Sequence, residues 1–334
     1  MDVRLLYGQR GSMPQAGWRS ANWPQLFDRN SLRKVHFVKL KDFAFYAPCV
    51  WGTTYFITTQ FLPADKPLLA ALIRALPAGI ILILGKALPP VGWLWRLFVL
   101  GALNIGVFFV MLFFAAYRLP GGVVALVGSL QPLIVILLSF LLLSQPVLKK
   151  QMAAAVAGGI GIALLISLPK APLNPAGLAA SALATVSMAS GLVLTKKWGR
   201  PAGMTMLTFT GWQLFCGGLV ILPVQMLTEP LPDAVTLTNL GGYFYLAIPG
   251  SLLAYFMWFS GLEANSPVIM SMLGFLSPLV ALLLGFLFLQ QGLSDAQLVG
   301  VAFIFSAIII VQNISLFGRR KKVKQLDQSD CIVK

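Results

Sequence analysis

The sequence predicts an all-α integral membrane protein whose ten transmembrane helices form two inverted five-helix repeats. Three observations carry that prediction. The composition is 58% hydrophobic and 10% charged with a mean hydropathy of +0.83, far from the averages of soluble domains. A charge-free stretch from Gly122 to Leu143 returns from Val268 to Leu289, each long enough to cross a hydrocarbon core of about 30 Å once. Finally, Lys and Arg fall almost entirely on one side of the membrane once the spans are drawn.

Residues 1–42 come first, a polar tail that holds Arg4, Arg10, Arg19, Arg29, Arg33, Lys34, Lys39 and Lys41. It has no long apolar run, so it does not read as a secretory signal, and a disordered cytosolic extension is expected. From Phe43 the chain alternates apolar spans with short loops. The first five spans are expected at 43–62, 67–85, 94–116, 122–143 and 151–168. The second five follow at 176–195, 204–227, 239–261, 268–289 and 295–317. Connections such as PADKP, SQPVLKK and PKAPLNP are rich in Pro and too short to hold soluble domains. The carboxyl tail, 318–334, is polybasic, which suits topology and attraction to anionic lipid.

Placing the amino terminus in the cytosol leaves only Lys66, Arg118 and Lys170 outside and Arg74 within a span, from a total of 25 Lys and Arg. Both termini are therefore expected in the cytosol of a bacterial inner membrane, and the net charge of +15 is topological rather than a sign of nucleic-acid binding. Cys49, Cys216 and Cys331 offer no disulfide framework.

Laid over each other without a gap, the two long stretches superpose Gly128 on Gly274, Pro132 on Pro278 and Phe140 on Phe286. Weaker echoes place Arg74 opposite Gln213 and Gly79 opposite Gly218. Such self-similarity reads as a duplication. A unit of five spans is odd, so its second copy enters the membrane upside down, a recurrent device of secondary transporters.

With Trp51-Gly52-Thr53-Thr54-Tyr55-Phe56 in the first span, Arg74 in the second, and Pro132 and Pro278 in the repeated stretches, the chain resembles EamA-type permeases of the drug/metabolite transporter superfamily, PecM-like exporters among them. The resemblance covers about residues 43–317. It implies two EamA repeats, a central substrate cavity and export of a small metabolite, amino acid or related solute. The chain departs from the pattern at Ser144-Gln145 and Gln290-Gln291, where the family often carries Glu.

The residues themselves suggest where a cavity would lie. Pro132 and Pro278 each leave the carbonyl four positions earlier, on Gly128 and Gly274, without its helical donor. Those carbonyls either face a wet cavity or mark a kink that only shapes packing. Trp51, Thr54, Tyr55 and Thr58 share one helix face that joins aromatic surface to hydroxyls, a lining for an amphipathic solute or a packing face. Asn104, Phe108, Tyr255 and Trp258 supply a comparable lining, with Gln131, Ser277 and Gln213 as neutral candidates. Arg74 is the one charged side chain well inside a span, which is costly unless it is paired, snorkels or faces water.

No Asp or Glu lies within a span, so a buried carboxylate relay is not visible; transport is either passive or coupled through an edge residue, with Glu263 at a cytosolic end the first candidate. Without a Walker A lysine motif, ATP-driven pumping is excluded. The lone His36 lies in the tail, which argues against an intramembrane enzyme. No catalytic residue, metal or cofactor is expected. A small-molecule solute and the lipid bilayer are the expected partners. The rival class is a membrane scaffold or lipid scramblase.

Overall fold

A computed structural model describes residues 44–116, 118–119, 121–165, 174–288 and 294–310. The expectations for both tails, for the far ends of the fifth and tenth spans, for Gln290-Gln291 and for the side chain of Tyr55 lie outside the described residues. Every regular element among the described residues is helical.

The chain opens with α1 (Tyr46–Gly52) and α2 (Thr54–Phe61), one rod interrupted at Thr53, whose Oγ1 donates to the Val50 carbonyl at 2.7 Å. Next come α3 (Pro67–Ile83), α4 (Val91–Ala116), α5 (Gly121–Gly128), α6 (Gln131–Leu143) and α7 (Lys149–Leu165). The second half contains α8 (Pro175–Trp198), α9 (Met206–Thr228), α10 (Leu237–Ala264), α11 (Pro267–Leu273), α12 (Leu276–Phe288) and α13 (Asp295–Ile310). Six of the continuous rods are long and apolar enough to cross a membrane: α4, the α5–α6 rod from Val123, α8, α9, α10 and the α11–α12 rod. The protein is thus an all-helical membrane protein.

Helices begin where local chemistry allows. Asn174, Thr205 and Ser266 each accept a backbone N–H of the helix they precede, and Thr236 with Asn239 forms a reciprocal capping box at α10. Pro occupies the first position of α3, α8 and α11, where its missing N–H costs nothing. The start of α3 has no cap of its own. Glu229, just past α9, supplies one from afar by accepting the Leu68 and Leu69 N–H groups at 2.9 Å each.

The α5–α6 and α11–α12 rods are broken at overlapping places of the alignment, 129–130 just before Pro132 and 274–275 just before Pro278. At the second break the Gly274 carbonyl accepts the Ser277 N–H at 3.1 Å, a tight turn that replaces the donor the proline lacks.

Two further irregularities match. Residues Ala102–Gly106 of α4 and Ile248–Leu253 of α10 are π-helical, and they occupy the same register of the duplicated sequence, with Asn104 falling on Gly250. A π-turn releases carbonyls from the regular ladder and is frequent at functional sites. Here the released carbonyls are taken by side chains of neighbouring helices. Leu103 receives Ser187 Oγ at 2.9 Å, and Gly250 receives both Trp51 and Arg74.

The centre of the fold is the crossing of α3 and α9. A Cβ on Gly79 would lie 2.8 Å from the Phe215 Cα, and one on Gly218 would lie 2.8 Å from the Leu76 Cβ. Glycines on both helices therefore let α3 and α9 touch backbone to backbone. Around this crossing a continuous apolar core joins Ala71, Ala75, Ile105, Leu192, Leu214 and Phe259.

Candidate transport pathway

Two polar ties cross the interior, one centred on Arg74 and one on Asn104 and Gln213, all three named by the sequence reading. In the first, Arg74 of α3 is almost wholly buried. Its Nε donates to Ser251 Oγ at 3.0 Å and its Nη2 to the Gly250 carbonyl at 2.9 Å, both in the π-turn of α10. Its guanidinium also stands over the Phe109 ring, 4.9 Å from the centroid. The same Gly250 carbonyl accepts Trp51 Nε1 at 3.0 Å. Arg74 neither snorkels nor, among the described residues, meets a carboxylate. Backbone dipoles, a hydroxyl and an aromatic face hold it instead.

In the second tie, Asn104 sits in the π-turn of α4, and its Nδ2 donates to Gln213 Oε1 at 2.9 Å and to Thr195 Oγ1 at 3.0 Å. Thr195 in turn donates to the Gly191 carbonyl at 2.7 Å, and the Cβ that Gly191 lacks would collide with Asn104. Gln213 is fully buried with its Nε2 unpartnered, as is Thr210 Oγ1 one turn earlier on α9. Orphaned polar atoms of this kind are costly and call for a water or a solute.

The remaining predicted residues divide in two. Tyr255 and Trp258 are buried and stack on Trp51 with centroids 5.0 and 5.2 Å away, so the aromatic face of the first rod does meet that of α10. Ser277 joins them through its carbonyl, which lies against Gly52. Phe108 packs beside Phe109 at 5.2 Å. Thr54 and Thr58 bond each other along the helix, Oγ1 of Thr58 to the Thr54 carbonyl at 2.9 Å. Gly128, Gln131 and Pro132 stand apart at the other break. Gly128 has open space where a Cβ would be, Gln131 keeps a buried Nε2 without a partner, and Pro132 is buried. Pro278 is half-buried in α12.

Glu263 occupies a different place, at the end of α10. Its Oε1 accepts Arg200 Nε at 2.9 Å, while Lys196 Nζ donates to the Leu262 and Glu263 carbonyls at 2.9 and 2.8 Å. Arg200 also donates to the Met204 carbonyl. Lys196, Arg200 and Glu263 also line a cavity of about 110 Å³ between the ends of α8, α9 and α10. Its walls include Thr195, Met206, Phe209 and Phe259, so Thr195 belongs both to the cavity and to the Asn104–Gln213 tie. Thr195, Lys196 and Arg200 were not singled out by the sequence reading. Nothing in a Lys-Lys-Trp-Gly-Arg loop distinguishes a closing contact from an ordinary topogenic cluster.

An interior of small residues, helix breaks and a few convergent polar groups is of the kind membrane permeases have. The chain belongs to the EamA-like transporter family, which matches residues 43–167 and 175–312. Protein PecM of Dickeya dadantii is 93% identical over 297 residues, spanning 89% of this chain and all of that protein. The inner membrane transporter YedA of Escherichia coli K12 is 28% identical over 276 residues, 80% of this chain and 88% of its own length. A solved crystal structure at 21% identity shares the fold, with a TM-score of 0.70 over 84% of this chain and 98% of its own.

Proposed function

We propose that the chain is a secondary transporter that exports a small organic solute by alternating access. Its ten spans form two inverted five-helix repeats, 43–168 and 176–317, with both termini in the cytosol. One observation carries the reading. The second helix of each half is tied to the π-turn in the third helix of the other, Arg74 to Gly250 and Ser251, Gln213 to Asn104. Two unlike ties at related positions are what a protein needs if its halves are to exchange conformations around a fixed centre.

The pathway runs from the cavity behind Arg200 and Glu263, past Thr195, to the orphaned amide of Gln213 and the aromatic group of Trp51, Tyr255 and Trp258. Arg200 and Glu263, paired beside this cavity, would then form a gate at the cytosolic end.

The test compares extracellular metabolites of cells overproducing the chain with cells overproducing the Trp51→Ala, Pro132→Ala double variant at equal membrane abundance. A solute enriched outside only with the intact chain supports export and identifies it. Equal profiles across a broad panel, dyes and toxic amino-acid analogues included, overturn it.

A further inference from the structure

Away from the pathway, α7 and α13 touch at one level and part at another. A Cβ on Gly161 would lie 2.8 Å from the Gly300 carbonyl, so the two backbones are in contact there. From that contact towards Lys149 the outer face of α7 is uncovered, and a groove of about 510 Å³ runs along it beside Phe303. Met152, Val156 and Ile160 recur at one-turn spacing along this face and are 39%, 46% and 45% exposed. The small Ala153 and Ala157 leave the depth between them.

We infer that this groove holds an acyl chain of an anionic phospholipid whose headgroup lies at Lys149 and Lys150. The length fits one leaflet: from Lys149 to Ile160 the helix rises about 16 Å, roughly half of a hydrocarbon core. The charge fits an anion, because Lys149 lines the head of the groove, Lys150 beside it in sequence is also exposed, and neither enters an ion pair among the described residues. The same charge disfavours the other occupants. The carboxyl tail carries Arg319, Arg320, Lys321, Lys322 and Lys324, and would bring like charge to like. A second copy related by a two-fold axis along the membrane normal would set these lysines at the same depth as their counterparts. A neutral phospholipid would fill the apolar part but leave the two ammonium groups uncompensated.

Binding is read without transport, so the result stands apart from the exporter reading. The full-length chain, stripped of endogenous lipid, is offered equal amounts of phosphatidylglycerol and phosphatidylcholine, and the retained lipid is counted by native mass spectrometry. One phosphatidylglycerol per chain is expected to outlast phosphatidylcholine. The Lys149→Gln, Lys150→Gln variant is expected to bind it roughly 30-fold more weakly, with phosphatidylcholine unchanged. Ala153→Phe, which fills the groove from an exposed position, is expected to weaken both lipids severalfold. Equal retention of the two lipids by the unaltered chain overturns the inference, as does unchanged phosphatidylglycerol binding in the lysine variant. Lipid retention that rises when the chain is cut after Phe317 assigns the groove to the tail and also overturns it.

Discussion

Arg74 and Gln213 occupy corresponding positions in the two halves of the chain, and each bonds the π-turn of the opposite half. One is charged and reaches a backbone carbonyl and a hydroxyl; the other is neutral and meets an amide. Between them α3 and α9 cross at a pair of glycines that also correspond.

Replacing Arg74 by Gln makes the two ties alike in charge. Charge-assisted hydrogen bonds contribute about 1.5–3 kcal/mol and neutral ones about 0.5–1.5, so the variant is expected to lose about 1–2 kcal/mol and remain folded. Arg74→Ala leaves Ser251 Oγ buried without its donor and is expected to cost more. Thermal unfolding in detergent ranks the two, and an Arg74→Gln protein as unstable as Arg74→Ala contradicts the account.

The second tie is open to a double-mutant cycle. Asn104→Ala and Gln213→Ala are expected to couple by about 0.6–1.7 kcal/mol, the range of interhelical hydrogen bonds inside membranes. Additive effects in the same unfolding assay mean that the bond contributes nothing net.

Gly79→Val drives a Cβ into the backbone at Phe215, which no rotamer change relieves. A loss of about 3 kcal/mol is expected, as for overpacked cores. Gly92→Ala, whose Cβ would meet nothing within 4 Å, is the control and is expected to be neutral.

The pair of Arg200 and Glu263 is 37% and 54% exposed, so Glu263→Gln is expected to change stability by less than about 1 kcal/mol. Its effect lies in access. In a cysteine-free background, Met206→Cys reports on the cavity behind the pair, and a membrane-impermeant thiol reagent applied to inverted vesicles is expected to label it faster in Glu263→Gln. The swap of Arg200→Glu with Glu263→Arg is expected to restore slow labelling. Equal rates in all three proteins remove the pair from the closing contact.

Much of the fold was legible because membrane insertion leaves a strong mark on sequence. Observed helix ends fall within a few residues of the expected spans, and differences have local causes. The third rod starts at Val91, directly after Pro90, and α8 runs on through Lys196 and Lys197 to Gly199, whose φ of +67° suits glycine. The carbonyl argument at Pro132 and Pro278 also located the two breaks, just before each proline. What it did not foresee is that Ser277 would occupy the Gly274 carbonyl.

The π-turns were missed. Pro249-Gly250-Ser251 in an apolar span is a breaker signal, but Ala102–Gly106 carries none beyond its glycine and asparagine. Trp51, Tyr255 and Trp258 were named separately, and only the bundle shows them in one aromatic group, with Trp51 sharing the Gly250 carbonyl with Arg74. The Arg200 and Glu263 contact joins the loop after α8 to the end of α10, a relation that periodicity does not encode.

The unlike chemistry of the two ties has an energetic meaning under alternating access. A perfectly symmetric pair of inverted halves would make the inward-facing and outward-facing forms equivalent by a two-fold rotation in the membrane plane and of equal free energy. A guanidinium over an aromatic ring on one side, against an amide pair on the other, breaks that degeneracy. Under the proposed mechanism the empty carrier then has a resting orientation chosen by its own sequence. Because Arg74 carries a full charge inside the membrane, any displacement along the bilayer normal would let the membrane voltage tilt that choice, by about 2.3 kcal/mol per 100 mV for a complete crossing and proportionately less for a short one.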